Sequence, residues 1–171
     1  MLYQIHLVNN IFQNQFEVTN QYHEISYFIC GCLNTLSQMI ILKTKNNEEI
    51  GRLYHDKKCP NSKYYIKIKD NAPINITTVN LGYKEVLFAA HLCYWAYGNV
   101  KNQQFYCYKG IKKIATIFIA IKSNDITISC DIKDNIDPTY ILLTAILITK
   151  LHVSTLHLPN LKILTNPQLQ A

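Results

Sequence analysis

Six cysteines, six histidines and a C-terminal group of aspartates are the side chains of this 171-residue chain with the most chemistry to offer. Asp125, Asp131, Asp134 and Asp137 could share a hard cation, since calcium is held by about six to eight oxygens. Their spacing lacks the central glycine of an EF-hand loop, and turn or helix-cap roles use the same residues. Cys30 and Cys32, placed on one face of a strand by alternation, offer zinc its preferred donors together with His55 and Cys59, although no CxxC or HxxxH pair is present. His91 and Cys93 would lie on one strand face as a Cys-His nucleophile, with no third group in view to orient them. Cys93, Tyr94 and Trp95 read as an aromatic cluster in a barrel wall. The five glycines are scattered, so no phosphate-cradling loop exists and nucleotide chemistry is unsupported.

Charge is the second signal. Lys and Arg total 17 against 11 Asp and Glu, a net +6. Residues 1–42 contain no Lys or Arg, while residues 43–133 hold 15 of the 17 against 7 acidic residues. A basic face attracts lipid headgroups or nucleic-acid phosphate. Residues 63–69 alternate strictly, with Tyr64, Ile66 and Ile68 on one side and Lys63, Tyr65, Lys67 and Lys69 on the other. The second side, extended by Lys57, Lys58, Lys112 and Lys113, is the predicted lipid-contact surface. Nucleic acid competes for it, but Arg52 is the sole arginine, and bidentate readout of phosphate and guanine favours Arg. No feature points to a small-molecule substrate.

These side chains must be positioned by many short strands. Predicted hairpins pair 15–18 with 25–29 across an Asn-led turn, and 39–43 with 50–55. Further strands are expected at 63–69, 74–79, 84–90, 104–108, 113–121 and 125–132. The segment 113–121 is apolar on both faces, so it is central or covered by something greasy. In the last strand Ile126, Ile128, Cys130 and Ile132 point inward. The period then changes: Asp137 is an N-cap, Pro138 opens a helix, and 139–152 is apolar nearly all round. Such a helix must be enclosed. The expectation is one mainly β domain over residues 1–171, with strands wrapped around a buried C-terminal helix and a tail at 154–171.

With no cationic start and no long apolar run in residues 1–14, no signal peptide is expected. The cysteines then read mostly as buried reduced thiols, and the sequon at Asn75 as incidental. The longest apolar stretches, 114–121 and 140–149, fall short of the roughly 20 residues of a spanning helix, so any membrane association is peripheral, lipid-anchored or oligomeric.

The run Asn14-Gln15-Phe16-Glu17-Val18-Thr19-Asn20 followed by Ile25-Ser26-Tyr27-Phe28 resembles an early hairpin of the phospholipid scramblase family. Met39-Ile40-Ile41-Leu42 with Glu49-Ile50-Gly51-Arg52-Leu53 is similar to the family's next hairpin, and Lys58-Cys59-Pro60 to its cysteine-bearing turn. Residues 126–131 and the helix at 140–151 resemble its last strand and hydrophobic C-terminal helix. The likeness runs in order over about residues 10–153. It implies the closed twelve-strand barrel of the Tubby C-terminal domain, and lipid movement between leaflets without ATP rather than bond chemistry. It further implies a place at the cytoplasmic face of the plasma membrane, acylation at Cys59, and calcium at Asn124, Asp125 and Asp131. The functional core would be the helix face of Tyr140, Ile141, Leu142, Leu143, Ile146, Leu147 and Ile148. The family's multi-cysteine cluster is reduced here to Cys59, and no counterpart of its Pro-rich amino-terminal region is expected. A Tubby-like anionic-lipid-binding regulatory module without scrambling, or a nucleic-acid-binding regulator, are the alternative readings.

Overall fold

The computed structural model describes residues 1–8, 15–31, 39–56, 63–81, 84–89, 92–99, 101–122 and 125–152. The strands are β1 (Leu2–Val8), β2 (Gln15–Asn20), β3 (Ile25–Cys30), β4 (Ile40–Thr44), β5 (Glu49–Asp56) and β6 (Lys63–Ile68). They continue as β7 (Ile74–Leu81), β8 (Lys84–Ala89), β9 (Tyr94–Asn99), β10 (Gln104–Lys109), β11 (Lys112–Lys122) and β12 (Asp125–Ile132), followed by the helix α1 (Pro138–His152). Each strand pairs antiparallel with the next, and β12 returns to β1 with Ile128 opposite Ile5, so the sheet closes into a barrel. Closure removes every sheet edge, the usual site of unwanted strand pairing.

Alternation fills the inside. Ile126, Ile128, Cys130 and Ile132 are buried, with Asp125 and Asp131 exposed. An eight-strand barrel is filled by its own side chains, but twelve strands leave a wider lumen. The helix occupies it: every residue from Thr139 to Lys150 is buried. Asp137 caps its start, accepting the Thr139 N–H through Oδ1 at 2.9 Å. The hydroxyls of Thr144 and Thr149 donate to the Tyr140 and Ala145 carbonyls at 2.8 and 2.9 Å, so neither is left unpaired in the apolar interior. The helix packs on β5, β6, β11 and β12. Gly51 on β5 lets it come close, since a Cβ there would lie 2.8 Å from Thr139 Cγ2 and 3.0 Å from Leu143 Cδ1.

Two strands go beyond the sequence reading. In β9 the inward positions after Tyr94 are the small residues Ala96 and Gly98, while Trp95 and Tyr97 face out, so no contrast of large apolar inside and polar outside marks it. β1 lies outside the predicted strands, although Tyr3, Ile5 and Leu7 alternate inward. Lys69 is a turn residue with φ 45°, not the end of a strand. Cys93 likewise sits in a turn, exposed and with φ 52°, so it has no strand face to share with His91, which lies outside the described residues. β11 is central between β10 and β12, yet its outer side leaves Phe118 and Ala120 exposed.

The buried acids define a pH limit. Burial pushes the Cys107 thiol up from 9.0 to about 12, and the Cys130 thiol up further, with Cys107 adding to the effect. Tyr27 is pushed from 10.0 to about 12 by burial and then by Tyr3. Each group is neutral in the fold and ionises more readily when unfolded. Its contribution is therefore full below the unfolded pKa and is lost as pH rises toward the folded one. Urea unfolding at a series of pH values should give no loss of stability from these groups between pH 7 and 8, and a steep fall from about pH 9 upward. Stability that stays flat to pH 11 would mean that these groups are not buried in solution.

Candidate functional site

The exterior of β7–β11 carries the largest group of exposed apolar and aromatic side chains among the described residues. Cross-strand register builds it in rows. One row runs Thr77, Phe88, Trp95, Tyr108 and Lys113; the next runs Val79, Val86, Tyr97, Tyr106 and Thr116. Phe118 lies opposite Gln104 beside them. Phe88, Phe118 and Val79 are 41%, 44% and 44% exposed. Trp95 stacks on Tyr108 with centroids 4.2 Å apart and planes 10° from parallel. Its indole N–H donates to the Gly110 carbonyl at 2.7 Å.

Lysines are woven into this wall. Lys84 lies over the Tyr97 ring at 5.4 Å and Lys113 over Tyr106 at 5.0 Å, while at the barrel's end Lys109 lies 5.4 Å over Tyr94, whose ring stacks inward on Tyr140. The bond to Tyr97 and its charge raise the Lys84 pKa, so this ammonium stays charged. Rings under cations hold the long lysine stems in place at the rim of an apolar surface.

The predicted lysine surface divides in two. Tyr65 and Lys67 do point outward from β6, where Tyr65 stacks on Tyr54 with centroids 5.5 Å apart and Lys67 lies opposite Arg52. Arg52 is bound to Glu49 at 2.5 Å, which cancels part of the local charge. Lys63 joins through its backbone, opposite Asp56. Lys112 and Lys113 are elsewhere: β11 stands five strands from β6, about 24 Å along the wall at 4.8 Å per strand. Lys57, Lys58 and Cys59 lie outside the described residues.

The metal sets do not assemble. Asp125 and Asp131 occupy opposite ends of β12, about 20 Å apart at roughly 3.3 Å per residue, so one calcium ion cannot bridge them. Asp134 pairs with the amino terminus at 2.9 Å, and Asp137 is used as the helix cap. Asn124 lies outside the described residues. The zinc set is split by the same geometry: Ile29 is buried, so Cys30 faces out, whereas Leu53 is buried, so His55 two residues on faces in. Cys32 lies outside the described residues. Among the described residues no group of three or more His, Cys, Asp or Glu side chains is placed to hold a metal.

The Cys93–Trp95 cluster is also divided, with Tyr94 stacked inward on Tyr140 and Trp95 facing out onto Tyr108. Sequence reading missed the aromatic wall because its members come from five strands. Only the alternation of Gln104, Tyr106 and Tyr108 with Phe105 and Cys107 could have signalled it. It also missed Glu85, buried inside the barrel and paired with His152 at the end of the helix.

No family model matches this chain, and no curated protein matches it. Among solved structures, the X-ray structure of a protein from Arabidopsis thaliana is similar, with a TM-score of 0.58 at 10% sequence identity. The match covers 88% of this chain and 91% of that one. At that identity the likeness is one of fold alone.

Proposed function

We propose that this protein is a peripheral membrane module that docks the outside of its barrel on bilayers containing anionic lipid. The observation that carries this reading is the gathering of exposed apolar, aromatic and lysine side chains on one side of the barrel, the exterior of β7–β11. Trp and Tyr favour the headgroup layer of a bilayer, and each lysine near an anionic surface contributes about 1 kcal/mol. The resemblance to phospholipid scramblases supports the same class of partner. Single-stranded nucleic acid fits less well, because bases need open ring faces. Here Trp95 and Tyr108 cover one another, and lysines lie over Tyr97 and Tyr106.

Docking from outside leaves the helix in place. α1 has 15 residues, about 22 Å at 1.5 Å per residue, against a hydrocarbon core near 30 Å. No helix among the described residues is long and apolar enough to cross a membrane.

The chain's single Trp is Trp95, so its fluorescence reports on this face alone. With vesicles of phosphatidylcholine and phosphatidylserine, the protein should co-sediment at low ionic strength and release at high salt, and Trp95 emission should shift to the blue. With pure phosphatidylcholine, binding should fall by orders of magnitude. Binding that ignores both lipid charge and salt would overturn the proposal. Fluorescent-lipid exchange in the same vesicles, with and without calcium, reads out the scrambling that the resemblance implies.

A further inference from the structure

The tip of the hairpin joining β10 and β11 is the most exposed apolar feature among the described residues. Lys109 pairs with Lys112, leaving the two-residue turn Gly110-Ile111 between them. Gly110 has φ 57° while Ile111 is not left-handed, the pattern of a type II′ turn, which places Gly first. The Ile111 side chain is 100% exposed. The turn is held from both sides: the Gly110 N–H donates to the Cys93 carbonyl at 2.8 Å, and its carbonyl accepts the Trp95 indole at 2.7 Å. A fully exposed isoleucine on a braced turn contributes nothing to the barrel's core.

The charges around it make the same point. Lys109 stands directly opposite Lys112, with Lys113 next to it, and like charges facing across a strand pair are unfavourable. None of the three forms an ion pair among the described residues. The sequence Lys109-Gly110-Ile111-Lys112-Lys113 thus places one fully exposed aliphatic side chain beside three lysines that form no ion pair among the described residues.

We infer that this tip is the part of the docking face that enters the membrane, with Ile111 seated among acyl chains and Lys109, Lys112 and Lys113 on anionic headgroups. This rests on the membrane reading above and assigns its point of entry. The charge selects the occupant. A second copy meeting tip to tip would bring six lysines together, and nucleic acid takes an aliphatic side chain as a wedge only by unstacking its bases, whereas the acyl layer of a bilayer accepts one with a gain from its burial.

The experiment compares the full-length protein with Ile111→Ser and Ile111→Leu on phosphatidylserine-containing vesicles at one salt concentration. Ile111→Ser should weaken partitioning about tenfold to a hundredfold, the effect of withdrawing one aliphatic side chain from an apolar phase, and Ile111→Leu should restore it. Urea midpoints should be equal for all three, because Ile111 buries no surface in the fold. If the wild type binds and Ile111→Ser binds equally well, the entry point is wrong while the membrane reading survives. If the wild type does not bind at all, both fall. Loss of a dimer in Ile111→Ser, with vesicle binding unchanged, would make the tip a contact between copies and overturn the inference.

Discussion

Leu143→Ala should destabilise the protein by about 2–5 kcal/mol and leave the vesicle affinity of the folded molecule unchanged. Leu143 is wholly buried near the middle of α1 and lies against the close approach to Gly51. The cost of such a truncation depends on how far the surroundings can collapse into the space. A closed barrel collapses poorly, because moving one strand inward disturbs hydrogen bonds to both neighbours. The effect is therefore expected in the upper part of the range, a large fraction of the roughly 5–15 kcal/mol that stabilises a domain. Urea unfolding measures it. The same variant separates two roles for the helix: a core filler loses stability with lipid binding intact, whereas a segment that leaves the barrel for the bilayer would change lipid binding as well. A loss below about 1 kcal/mol would show that the helix is not tightly enclosed in solution.

Gly98→Ala is the second large effect, and it arises from an added atom rather than a missing one. Gly98 faces inward from β9, directly opposite Phe105 on β10 and Glu85 on β8. A Cβ at this position would overlap the Phe105 ring and the Gln104 carbonyl. The ring lies across the glycine and also stacks near His152, with centroids 6.4 Å apart. His152 in turn pairs with Glu85. A methyl group at 98 therefore displaces a buried ring and disturbs the Glu85–His152 contact that ties the end of the helix to the wall. Overpacking typically costs about 1–3 kcal/mol, and loosening a largely buried hydrogen-bonded contact adds to it. The double variant Gly98→Ala, Phe105→Leu, which removes the clashing ring, should recover part of the loss. Urea midpoints of both proteins check this, and an unaffected Gly98→Ala would mean that the Phe105 ring does not cover position 98.

Much of the architecture was legible in the residues. Lys63–Ile68 and Asp125–Ile132 alternate so strictly that strand and inward face follow from the order of side chains. Asp137 and Pro138 announce a helix, and a stretch apolar on every face has to be enclosed. These features are local: period and capping are set by residues within a turn or two of each other. β9 is hard to read for a local reason too, since after Tyr94 its inward residues are the small Ala96 and Gly98 while Trp95 and Tyr97 face out, which reverses the usual hydrophobic contrast.

The site was not legible, because it depends on which strands are neighbours and on register across them. Lys67 and Lys113 look alike in a list of basic residues, but the barrel's order of strands puts them on different parts of its wall. Asp125 and Asp131 look like a carboxylate cluster in sequence, yet an extended strand carries them apart. In the same way, Phe88, Trp95 and Tyr108 come from three separate stretches and meet only because the antiparallel register aligns them. The sequence by itself determined the periods, the caps and the need to enclose the helix, all short-range consequences of side-chain shape and polarity. Only the tertiary structure decided which outward-facing residues share a surface, because that follows from pairings between residues distant in the chain.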